Sequence, residues 1–211
     1  RKMRCAPMKV PFSYQKTEFD CGPTSLTNAL SFLFDREEIP PEMIRRIMAY
    51  CLDGFDGQGH PCRRGTSAAA MRFISSWING YGESVHFPIK TQFLEADQVH
   101  LGADSLVLSV LRQGGAAVIR VIYECGHYVL VTGIGESDRL LVFDGYYEEG
   151  RDIEDLVREG IGIIPDQPRG ANRLVPISHM DSEGTGSYQL GPVPRREAIL
   201  LSRTDLTFHP L

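Results

Sequence analysis

Cys21, His127 and Asp144 are the three side chains whose types together suit acyl-transfer chemistry: a sulfur nucleophile, an imidazole to take its proton and a carboxylate to orient the imidazole. A thiol attacks only as thiolate, and a cysteine at a helix N-terminus meets unpaired amides and the positive dipole end, both of which favour the anion. Cys21 opens such a run, Cys21-Gly22-Pro23-Thr24-Ser25-Leu26, in which Pro23 is tolerated because first-turn amides lack partners. Leu26, Ala29, Leu30, Leu33 and Phe34 then recur at helical spacing, so a helix is predicted from about Cys21 to Phe34. Gly22 leaves room for a substrate carbonyl beside the thiol and the neighbouring N–H, and Gln15, six residues earlier, is a candidate second oxyanion donor. Alone, Cys21 has an ordinary account as a cysteine packing a helix end, so the case rests on its companions.

His127 lies in the strand-like run Cys125-Gly126-His127-Tyr128-Val129-Leu130-Val131-Thr132-Gly133, and Leu140-Leu141-Val142-Phe143-Asp144 reads as a second strand. A hairpin closed over residues 134 to 137 sets Val131 opposite Leu140, Val129 opposite Val142 and His127 opposite Asp144. Opposed residues are about 5 Å apart at Cβ, which lets the carboxylate hold the ring in the tautomer whose free nitrogen accepts the thiol proton. A turn centred two residues later keeps the faces but separates the pair. Singly, His127 is also readable as a strand histidine bonded to a carbonyl, and Asp144 as a strand-end carboxylate before a turn.

These residues resemble the bacteriocin-leader-processing (double-glycine) cysteine peptidases and their free-standing relatives, within the papain-like superfamily. The likeness is carried by Val10-Pro11-Phe12 leading to Gln15, by Asp20-Cys21-Gly22-Pro23, and by Gly65-Thr66-Ser67 opening a helix. It continues in Gly126-His127-Tyr128-Val129-Leu130-Val131 and Val142-Phe143-Asp144, and covers most of residues 8 to 147. The resemblance implies an α+β, papain-like peptidase fold with Gln15 in the oxyanion hole, Cys21 as nucleophile, His127 as general base and Asp144 as its orienting residue. It also implies a peptide or protein substrate. Two departures stand out: Gly145-Tyr146-Tyr147 follows the aspartate where the family commonly has proline, and the tail beyond Pro165 matches no motif.

The rest of the chain sets limits. With 211 residues and 42% hydrophobic content, one domain spanning 1–211 can bury a full core. A net charge of −5 and short, scattered basic pieces (Arg1-Lys2-Met3-Arg4, Arg45-Arg46, Arg63-Arg64, Arg195-Arg196) argue against a nucleic-acid partner. No stretch has the length and apolarity of a membrane span, and no signal peptide is visible. Five cysteines in a chain of this size favour a reducing, cytoplasmic setting over a disulfide scaffold. Cys51, His60 and Cys62 flank the glycine-rich run 53–59, but their spacing fits no zinc knuckle and the acidic residues between them no calcium loop. The proposed chemistry calls for no metal or organic cofactor. Cys125 is expected to pack, and Cys5 has no assigned role.

Helices precede strands along the chain, which predicts N-terminal helices packed against a C-terminal antiparallel sheet. A short strand is expected over Lys9 to Phe12. Further helices are expected from Pro40-Pro41 to Tyr50, from a Thr66 or Ser67 cap to about Tyr81, and from an Asp104 cap to before Gly114. Ala116 to Tyr123 begins the sheet; Asp152 to Glu159 suggests a short helix and Ile161 to Ile164 a strand. Residues 165 to 196 read as a lid, an irregular hairpin or a disordered loop, with Ser187-Leu190 and Glu197-Leu201 pairing as a last hairpin. His179 and Asp181 there, in a flexible setting, read as solvated polar side chains and not as a rival acid–base pair. The expected function is a cysteine hydrolase, foremost a peptidase. An acyl or peptidyl transferase with an amine acceptor, as in the similar phytochelatin-synthase relatives, and a catalytically silent peptide-binding module are the alternatives.

Overall fold

A computed structural model describes residues 8–148, 150–165 and 167–205; the expectations for Cys5 and the Arg1-Arg4 run fall outside them. Three helices come first: α1 (Cys21–Leu33), α2 (Pro41–Cys51) and α3 (Ala68–Val85). Then follow β1 (Ile89–Glu95), α4 (Leu106–Arg112), β2 (Ala116–Tyr123), β3 (Cys125–Gly135) and β4 (Arg139–Phe143). The C-terminal part supplies α5 (Arg151–Arg158), β5 (Gly162–Ile163), β6 (Arg173–Pro176), α6 (Ile177–Met180) and β7 (Glu197–Arg203). All seven strands join one antiparallel sheet in the order β1-β7-β2-β3-β4-β6-β5. The fold is α+β, with N-terminal helices against an antiparallel sheet.

The central strands are buried on both faces, and alternation divides their side chains between two cores. Val118, Leu130, Phe143, Ile199 and Leu201 pack with the apolar stripes of α1, α2 and α3. Ile119, Val129, Val131, Val142 and Leu200 face the other way, toward α4, α5 and the chain beyond β6.

Several expectations need correction. Lys9 to Phe12 is not a strand; the segment is held instead by Phe12 N–H on the Pro168 carbonyl (2.6 Å) and by paired hydrogen bonds between the Ser13 backbone and Asn28. The cap of α4 is Ser105, whose hydroxyl accepts from Leu108 N–H, one residue beyond Asp104. Ser67 does cap α3, but the helix runs a further turn and closes at His86 in the left-handed region.

The largest departure is in the tail. Residues 187–190 form no hairpin with Glu197-Leu201; β7 instead inserts between β1 and β2. The 165–196 stretch is neither lid nor loose loop over its described residues, since β6, α6 and the fully buried Tyr188 and Met180 belong to the second core. His179 bonds the Ser187 carbonyl, and Asp181 accepts from Leu101 N–H and Arg196, so both tie the tail down instead of lying free on the surface. Among the described residues, no helix is long and apolar enough to cross a membrane.

Candidate active site

Cys21 is the first residue of α1 and is 8% exposed. The loop before it is shaped by Asp20, whose carboxylate accepts from Lys16 N–H, Thr17 N–H and the Thr17 hydroxyl. Burial would raise the Asp20 carboxyl pKa, but these donors outweigh it and hold the group below the usual range. Ser25, one turn into α1, donates to the Tyr128 carbonyl (3.0 Å) and fastens the helix to β3 beside His127. Gly22 is obligatory for space: a Cβ there would sit 2.3 Å from Thr66 Oγ1 and 2.9 Å from Thr66 Cβ. The Gly65-Thr66-Ser67 turn therefore closes directly on the helix start.

His127 and Asp144 meet, though by a different register from the one expected. Leu130 pairs with Phe143 and Val131 with Val142, and the ladder then shifts between Val131 and Gly133, an irregularity at Thr132. Extending that register would set Asp144 beyond the end of β4 opposite Val129, one diagonal step from His127, a separation an imidazole spans. Nε2 of His127 lies 2.7 Å from Asp144 Oδ1. With Nε2 on the carboxylate, Nδ1 is the ring nitrogen left for Cys21, whose charge also acts to raise the imidazole pKa. Burial acts to lower the His127 pKa, yet the charge and hydrogen bond of Asp144, with those of Cys21, hold the imidazole well above its ordinary 6.5.

Asp144 is the hub. Its Oδ1 also accepts from Tyr146 N–H (2.8 Å), and Oδ2 accepts from the Tyr188 hydroxyl (2.7 Å). Asn172 clamps its backbone from both sides, accepting from Asp144 N–H (2.8 Å) and donating to the Asp144 carbonyl (2.9 Å). Burial pushes the carboxyl pKa up, but His127 and these donors outweigh it and keep the carboxylate below its usual range. Tyr188 and Asn172 escaped the sequence reading. Both sit in the Pro- and Gly-rich tail, where no periodicity marks a residue as inward; the Tyr188 position, in a strand-like tetrapeptide, was the single available sign.

Gln15 lies close in the backbone, with its N–H on the Gly145 carbonyl (2.9 Å), but its side-chain amide donates to the Thr17 carbonyl (2.7 Å). Its Oε1 is buried with no hydrogen-bond partner among the described residues, and Gln15 is not among the residues lining the cavity. That cavity, about 770 Å³, is lined by Cys21 and His127 and also by Thr66, Tyr123, Tyr146 and Glu148. Cys125 is exposed and lines it too, two residues before His127, so the expectation that it packs is not met. Cys51, by contrast, is buried in the first core and burial pushes its thiol up to about 12. His60 pairs with Asp56 at 2.9 Å.

The chain matches no family model and no curated protein. Among solved structures it is similar to the peptidase domain of Streptococcus ComA, a bifunctional ABC transporter involved in a quorum-sensing pathway. That match has 16% identity, covers 92% of this chain and 98% of the other, and has a TM-score of 0.44. It is also similar to the peptidase domain of Streptococcus mutans ComA, at 16% identity, the same coverage and a TM-score of 0.41.

Proposed function

We propose that this chain is a papain-like cysteine hydrolase acting as a peptidase, of the kind that processes double-glycine leaders. The observation that carries the reading is the buried line from Cys21 through His127 to Asp144, opening on a cavity and held at 2.7 Å on the carboxylate side. In the proposed cycle the Cys21 proton resides on His127 Nδ1, and the thiolate attacks an amide carbonyl. The resulting oxyanion is met by the Cys21 N–H, a first-turn amide without an intrahelical acceptor, and by Gln15 once its side-chain amide leaves the Thr17 carbonyl and turns an N–H toward that oxygen. The imidazolium then protonates the leaving amine. Water, deprotonated by the same nitrogen, hydrolyses the thioester to a free carboxyl group and restores the thiolate–imidazolium pair. Asp144 stays ionised throughout and stabilises the imidazolium.

The test is alkylation by iodoacetamide at neutral pH, with every modified cysteine mapped by mass spectrometry. Cys21 is expected to label ahead of the exposed Cys62 and Cys125 despite its burial, and His127→Ala to suppress that lead. In parallel, amide cleavage of a peptide library is expected to disappear in Cys21→Ala and to fall by about a thousandfold or more in His127→Ala. Equal Cys21 labelling in parent and His127→Ala overturns the proposed pairing.

A further inference from the structure

Of the acidic side chains in the cavity wall, none of which takes part in the cycle above, Glu148 is the one withdrawn from solvent. Glu148 follows Asp144 by four residues and its side chain is 6% exposed. The Tyr123 hydroxyl donates to Oε1, but Oε2 is buried and accepts no hydrogen bond among the described residues. The cation paired with it, Arg173, stands 3.9 Å away, beyond hydrogen-bond reach, and directs another guanidinium nitrogen at the Asn172 carbonyl (3.0 Å). A carboxylate oxygen withdrawn from water without a donor is an unfavourable arrangement that an incoming cation relieves. Burial pushes the Glu148 carboxyl pKa up by more than the Tyr123 hydrogen bond lowers it, and the nearby Asp144 charge adds to the rise.

The surroundings suit a long cationic side chain. The Tyr123 ring is 5.8 Å from the His127 ring and 6.5 Å from Tyr146, and Tyr146 is 6.3 Å from His127, so aromatic surface leads from the imidazole to Glu148. Aromatic faces accept both the methylene stem and the charge of lysine or arginine. Glu18, Glu124 and Asp152 line the same cavity, against Arg64 and Arg120, and Arg120 is already paired with Glu197 at 3.3 Å. His127 delivers its proton to the departing amine, so the wall grouped around its ring borders the leaving side of the scissile bond.

We infer that Glu148, walled by Tyr123 and Tyr146, is a specificity subsite for a lysine or arginine side chain on the residue that carries the leaving amine. This deepens the peptidase reading and rests on it. A purely structural Glu148–Arg173 pair is the competing account.

The experiment has two arms. In the first, a proteome-derived peptide library retaining lysine and arginine is digested by the parent and by Glu148→Gln, a variant that keeps an oxygen for the Tyr123 hydroxyl, and cleavage sites are read by mass spectrometry. The parent is expected to enrich Lys and Arg directly after the cut bond. For synthetic peptides differing only there, the Lys-to-norleucine ratio of kcat/KM is expected to exceed about tenfold in the parent and to fall within about twofold in Glu148→Gln. No enrichment in the parent, or an equal loss on both peptides in the variant, overturns the subsite. In the second arm, Cys21 is modified by cationic aminoethyl methanethiosulfonate and by neutral methyl methanethiosulfonate. The rate ratio is expected to drop several-fold in Glu148→Gln, and an unchanged ratio counts for the structural pair and against the subsite. This arm needs no turnover: a cation preference without peptide cleavage would refute the peptidase reading alone, whereas cleavage without a cation preference would refute the subsite alone.

Discussion

Burial and charge pull on His127 in opposite directions, and the Asp144 carboxylate tips the balance toward the charged ring. Its pKa is raised in the fold, so its contribution to stability is complete below the unfolded value of 6.5 and is lost as pH climbs through the folded one. Asp144 is depressed, so its contribution is complete above 3.8 and is lost as pH falls through its folded value. The melting temperature should therefore peak between these limits. Its decline above pH 6.5 should be shallower in His127→Asn, as a thermal-melt series across pH will show. Tyr188→Phe removes one donor from Asp144 Oδ2. Loss of that bond should cost about 1–2 kcal/mol in a denaturant melt. It should also move the acid limb of the pH–rate profile upward, because the carboxylate then protonates more readily. Cys21, His127 and Asp144 were legible from residue type and order; Tyr188 was not, since a tyrosine among Gly, Ser and Pro carries no local sign of its partner 44 positions away.

At the level of elements, the start of α1 was readable because apolar spacing and Pro23 are local signals, and the Ser67 cap of α3 for the same reason. The contact between them was not. Gly22→Ala places a methyl group against Thr66 Oγ1 and Cβ. It should destabilise the protein by about 1–3 kcal/mol, and Gly22→Ala with Thr66→Gly should recover most of that loss in the same denaturant melt. The β3–β4 hairpin teaches a related lesson. Both strands were found from composition, but the turn falls over residues 136–138, with Gly135 opposite Arg139, and the irregularity at Thr132 then shifts the ladder by one residue; pattern alone reveals neither. His127 and Asp144 remain partners because the Asn172 clamp and the Tyr146 N–H fix the carboxylate just past the strand end.

For the molecule as a whole, the decisive feature is that β7, far along the chain, is inserted into the sheet between β1 and β2. β7 pairs with β1 on one side and β2 on the other, and Ala198, Ile199, Leu200 and Leu201 are at most 2% exposed. Ile199→Ala, in the core beneath α1 to α3, should cost about 2–5 kcal/mol. A chain ended after residue 165 should show no cooperative unfolding transition by circular dichroism, because it leaves β1 without its neighbour. The candidate site stands where the two cores meet, with Cys21 from the helical core and Tyr188 from the core on the other face of the sheet.

Sequence by itself determined the helix starts, most strand positions, the α+β class and the identity of the three side chains proposed for the chemistry, because each of these is written in spacing or residue type over a few positions. Tertiary structure alone decided the placement of β7, the diagonal pairing of His127 with Asp144, the Tyr188 and Asn172 contacts and the unpartnered oxygen of Glu148. Those depend on which distant segments exclude water from one another, a property of the assembled cores that no short window of residues contains.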